Sequence, residues 1–106
     1  MSGSEGPDYT TFGGTGGQDC SGLRLNKPLQ APQFEVVARL AVNDELSLVL
    51  HDSDQPVIAV VTVMGEEAGA VIPDRALIDC LRLGVAFHAT VTSVNGGHMM
   101  LSVRAA

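Results

Sequence analysis

Aromatic residues are scarce in this chain: there is no tryptophan, one tyrosine (Tyr9) and three phenylalanines (Phe12, Phe34, Phe87). A core must therefore be built from Val, Leu, Ala and Ile, and a platform for stacking nucleic-acid bases is nearly missing. Positive charge is also scarce. Lys and Arg number six against twelve Asp and Glu, for a formal charge of -6, so the average field repels phosphate backbones and anionic lipid. Two cysteines, Cys20 and Cys80, are too few for a disulfide framework and lack the spacing of a zinc site. They are expected as reduced, partly buried thiols, with a bridge as the alternative. No run approaches the roughly 18 apolar residues of a membrane span, and the first residues lack the basic-then-apolar layout of a secretion signal. The expectation is a cytoplasmic protein that does not enter membranes and holds no cofactor.

What is present is enough apolar residue, 45% of 106, for one compact core. Residues 1–19 are Gly, Ser, Thr and acids with little to bury, and read as a disordered tail. Its Gly13-Gly14-Thr15-Gly16-Gly17 run is a linker and not a phosphate loop, because no Gly-Lys-Ser/Thr follows it. Residues 20–106 read as a single domain. Between Cys20 and Leu40, Pro28 and Pro32 break any long helix or central strand, leaving an irregular lead-in that packs Leu23, Leu25 and Leu29. Past Pro32, the spacing of Phe34, Val37 and Leu40 favours a short helical turn, although Phe34 and Val36 would also serve a strand.

Beyond Asn43, turn residues and period-2 alternation agree. Leu46, Leu48 and Leu50 mark a half-buried strand, and the run from Val57 to Met64 reads as the most central strand, apolar on both faces. A short strand follows from Ala68 to Ile72. Pro73 suits a first helical position, Asp74 the positive end of the helix dipole, Leu77 and Leu81 one buried face, and Gly84 the C-terminal cap. Arg75 and Asp79 fall four apart as an exposed pair. Two alternating runs around Gly96-Gly97 form a hairpin. A bulge near Thr92 and Ser93 follows if Val94 is buried beside Met99. The fold class is mainly β: a small, partly open barrel of five strands with one short α-helix.

No catalytic spacing of nucleophile and base occurs. Ser21 and Cys80 have no base nearby in sequence, and the acidic pairs Asp44-Glu45, Asp52/Asp54 and Glu66-Glu67 fall in turns without a calcium-loop pattern. His51, His88 and His98 fall at outward positions on or beside strands, where exposed imidazoles are commoner than a metal cluster.

The segment from about Val36 to Val103 resembles a HIRAN-type domain. The resemblance rests on Val57, Ala59 and Val60, Gly65, Gly69 with Val71-Ile72-Pro73, Leu77 and Leu81, Gly84 and the final hairpin, and covers about two thirds of the chain. It implies a small β-barrel with one inserted helix, of a kind that binds single-stranded DNA ends. Ala70 stands where such domains tend to carry an aromatic, and the expected stacking and basic residues are not evident.

The first functional expectation is thus a non-catalytic binding or adaptor module acting on a protein partner, with Val49, His88 and Met100 as a candidate patch. The second is a single-stranded nucleic-acid module in which Arg24, Lys27, Arg39 and Arg104 line one groove. A small hydrolase or metal protein comes third. A homodimer covering open strand edges is a further expectation.

Overall fold

A computed structural model describes residues 19–106. The tail expected over residues 1–19 lies outside the described residues except for Asp19, which precedes a 3-10 turn at Cys20–Gly22. Six strands follow: β1 (Arg24–Pro28), β2 (Glu45–His51), β3 (Val57–Val61), β4 (Glu67–Val71), β5 (Phe87–Asn95) and β6 (His98–Ala105). Two helices interrupt them, the single turn α1 (Phe34–Val37) and α2 (Arg75–Arg82). The strands form one antiparallel sheet in the order β1-β6-β5-β2-β3-β4. It curls into a partly open barrel, as the alternation in the sequence requires.

Alternation sets the inner face. Leu46 and Leu48, Phe87, Ala89 and Val91, and Met99, Leu101 and Val103 are all buried, and Ile58, Val60 and Val71 join them from β3 and β4. Complete burial of such side chains is worth about 1.5 to 3 kcal/mol each. β3 is not the most central strand: it lies next to last. Its three consecutive buried residues, Ile58, Ala59 and Val60, arise because Ala59 is small and sits between Val49 and Ala70 on the neighbouring strands.

Strand β1 is the sixth strand, in a segment expected to be irregular. Leu29 N–H donates to Met99 O and Gln30 N–H to Ala70 O, so even-numbered residues here aim their N–H away from β6. Pro28 occupies one of those positions, where a missing N–H costs no ladder bond. The next residues cross from β6 to β4. Gln30 and Ala70 exchange two backbone bonds of 2.7 and 2.9 Å, and Gln33 N–H donates to Ala68 O. This pairing draws the two ends of the sheet together into a seam.

Gly69 permits that seam, since a Cβ there would stand 2.6 Å from Gln30 O and 2.9 Å from Leu29 Cδ1. Lys27 points inward beside the seam, its side chain 15% exposed and its Nζ 3.9 Å from Asp74. An inward charge on an edge strand discourages pairing with other chains.

The hairpin carries the expected bulge: Val91 opposes Leu101 and Ser93 opposes Met100, leaving Thr92 extra. Val94 does oppose Met99, yet it stays 43% exposed, so the bulge restores pairing without burying it. In α2, Asp74 is the N-cap, its carboxylate accepting from Ala76 N–H, and Pro73 lies before the helix. Gly84 (φ +87°) closes the other end. Its N–H donates to Leu81 O, and Val85 N–H donates to Cys80 O, the paired bonds of a Schellman cap.

Cys20 and Cys80 are joined in a disulfide, which overturns the reduced pair expected from the sequence. Spacing of 60 residues carried no sign of it. The 3-10 turn carries Cys20 to α2, where Cys80 lies on the buried side. At the far end of α2, Arg82 grips Asp52 through two bonds of 2.8 and 2.9 Å. No described helix is long and apolar enough to cross a membrane.

Candidate functional site

Past the Gln30 bridge the chain must turn sharply into Pro32. Ala31 makes that turn at φ +47°, a left-handed conformation that L-residues other than Gly, Asn and Asp seldom adopt. Pro28 and Pro32 fix φ on either side. The rigid corner and the tip of the β5–β6 hairpin enclose an open cleft of about 510 Å³, lined by Pro28, Leu29, Pro32, Phe34, Met99 and Met100 with the Gly96-Gly97 turn and His98.

Phe34 stands at its rim and is 72% exposed. The helical spacing of Phe34, Val37 and Leu40 suggested a short helical turn, which α1 is. Only Val37 is fully buried and Leu40 half-buried, because α1 is a single turn capped against β4 through the Gln33–Ala68 bond. A phenylalanine left in water forgoes about 1.5 to 3 kcal/mol of burial. A strained corner and an uncovered aromatic beside one cleft are features that cluster where a protein meets something else.

The expected patch of Val49, His88 and Met100 is only partly assembled. All three face outward, and Val49 and His88 are near neighbours, since His88 opposes Ser47, two residues before Val49. Met100 lies elsewhere. It opposes Ser93 and Pro28, beyond the bulge from His88, and belongs to the cleft.

The four cations of the nucleic-acid reading divide in the same way. Arg24 and Arg104 oppose each other directly across β1 and β6. Lys27 points to the other face and approaches Asp74, and Arg39 is engaged with Glu66 at 2.9 Å. That partnership, chiefly the hydrogen bond, holds the Glu66 carboxyl below its usual range. The same geometry lowers the Asp52 carboxyl beside Arg82. Sequence order could not reveal that Arg104 also opposes His88, making a row Arg24–Arg104–His88 over three adjacent strands. The register of both pairings supplies it.

Catalytic candidates are occupied otherwise. Cys20 and Cys80 are consumed in the bridge. The Ser21 hydroxyl donates to Asp19 at 2.7 Å, a bond that holds the Asp19 carboxyl below its usual range. Among the described residues no three His, Cys, Asp or Glu side chains group as metal ligands. His51 and His98 sit far from His88 along the strands, opposite Val57 and Asn95.

Comparison with known proteins adds no relative: no family model, no curated protein and no solved structure matches the chain.

Proposed function

We propose that this protein is a non-catalytic binding module that receives an apolar side chain of a protein partner in the cleft beside Phe34. The observation that carries the reading is Phe34 itself, exposed at the rim of a cleft whose wall is held rigid by two prolines and a strained alanine. Shape set before binding lowers the ordering cost of association, and aromatic rims anchor protein contacts more often than other residues. The exposed Met100 side chain suits an apolar guest of varied shape. A nucleic-acid module of the HIRAN type is supported less, because two of the four cations are turned away or paired and, among the described residues, Phe34 is the one exposed phenylalanine.

Location bears on the partner. Disulfides persist in oxidising compartments and are reduced in the cytosol, so the Cys20–Cys80 bridge argues against the cytoplasmic placement expected from the lack of an apolar span and of a signal-like start. Mass spectrometry of protein alkylated directly in host cells decides: an unlabelled pair supports an oxidising compartment, and two labelled thiols restore the cytoplasmic reading.

The binding proposal is tested by comparing Phe34→Ala with Arg75→Ala for thermal unfolding and for capture of proteins from host lysate. Phe34→Ala should leave stability within about 0.5 kcal/mol, the range of surface changes, and abolish capture of a partner that wild type and Arg75→Ala both retain. Equal capture by all three proteins would remove the cleft from the account. Retention of single-stranded nucleic acid alone, lost at high salt, would replace it with the HIRAN-type reading.

A further inference from the structure

The geometry points to a second site on the outer face of the sheet, an oxyanion site that takes a phosphate monoester between Arg24, Arg104 and His88. Arg24 and Arg104 form a directly opposed cross-strand pair. Even-numbered residues of β1 aim their N–H away from β6, so this is the closer type of pair, with Cα atoms about 4.5 Å apart. Like charges placed so are destabilising. Yet neither guanidinium has a carboxylate within 4.0 Å among the described residues. Elsewhere in this acidic chain every other Lys and Arg does: Lys27 with Asp74, Arg39 with Glu66, Arg75 with Asp79 and Arg82 with Asp52.

Among the described residues, only this opposed pair of cations is without a carboxylate partner. His88 opposes Arg104 on its other side, and its Nδ1 lies 3.5 Å from the Glu45 carboxylate. Two guanidinium groups and an imidazole thus lie in one row over about 10 Å, two strand spacings.

Charge and shape choose the ligand. Two permanent cations match a dianion, which a phosphate monoester supplies at neutral pH and a diester backbone does not. Arginine forks suit tetrahedral oxygens. Flanking the row on this face are Asn26, Ser102 and Ser47, which offer hydrogen bonds and no ring for a base.

This inference stands apart from the cleft and can fail without it. The test is a titration of the isotope-labelled full chain with inorganic phosphate, read by NMR at the Arg24 and Arg104 side-chain N–H and the His88 ring. Chloride at matched ionic strength is the control. Expected is a saturable shift at these three residues and none at Arg75, weakened at least tenfold in Arg104→Gln and in Arg24→Gln, whose melting should be no lower than wild type, and unchanged in Phe34→Ala. Phosphoserine should reproduce it. Shifts matched by chloride, or equal at Arg75, would overturn the site. Tighter binding of an oligothymidine lacking a terminal phosphate would assign the row to nucleic acid instead.

Discussion

The middle of the sheet and its seam are held by different means. Strands β2, β5 and β6 cohere because every second residue is apolar and fully buried: Leu46 and Leu48, Phe87, Ala89 and Val91, Met99, Leu101 and Val103. The seam joins β1 to β4 with little of that. Leu25 and Leu29 are only half-buried, and Lys27 occupies an inward position. Particular devices substitute there: a covalent bridge to α2, one glycine without which two backbones could not meet, and a single backbone bridge at Gln30. Burial is spread over many residues and tolerates change, whereas each device at the seam is a single point of failure.

The largest expected effect separates these two modes. Opening the Cys20–Cys80 bridge by Cys20→Ser with Cys80→Ser should cost about 4 kcal/mol, the chain entropy of a loop of this length, measured by denaturant unfolding. A loss below about 1 kcal/mol would show that the seam holds without it. Next comes Gly69→Ala. Forcing Gln30 and Leu29 aside should cost about 2 kcal/mol, within the range for overpacking, and should speed amide exchange at Gln30 and Ala70 more than at Leu101. Uniform exchange across the sheet would mean that seam and centre open together.

Smaller is the relief of the opposed arginines. Arg24→Glu should raise stability by about 0.5 kcal/mol, since an opposite-charge cross-strand pair replaces a like one. A loss instead would mean that Arg24 has a structural partner. The smallest effect is visible only as a pH dependence. Arg82 holds the folded Asp52 carboxyl below its unfolded value, so this pair contributes stability that is present above the unfolded pKa and lost as pH falls through the folded one. Wild type should therefore lose more stability between pH 5 and pH 2 than Asp52→Asn does, by thermal melting, and parallel curves would remove the pair from the ledger.

The same contrast explains what could be read from sequence. Leu46-x-Leu48, Phe87-x-Ala89-x-Val91 and Met99-x-Leu101-x-Val103 alternate visibly, and Asp74 and Gly84 bracket a helix, so the half-barrel, its helix and even the bulge at Thr92 were legible. β1 was not. Its inward positions are Leu25 and Lys27, only one of them apolar, and Pro28 argues against a strand until the direction of its missing N–H is known. The disulfide joins residues 60 apart with nothing local to mark either cysteine. At the surface, Arg24, Arg104, His88 and Met100 were singled out as candidates. Their grouping was not legible, because only strand order and register bring Arg24 beside Arg104 and carry Met100 away from His88 to the cleft. Phe34 read only as part of a short helical turn, and nothing in its spacing marked it as exposed.

The central claim is that Phe34 meets a partner. It is tested most directly by placing a photo-crosslinking side chain at position 34 and, separately, at position 75 in the host cell, then irradiating. A discrete protein adduct from position 34 that is missing from position 75 is the predicted result. No adduct at position 34, or the same adducts from both positions, would contradict it.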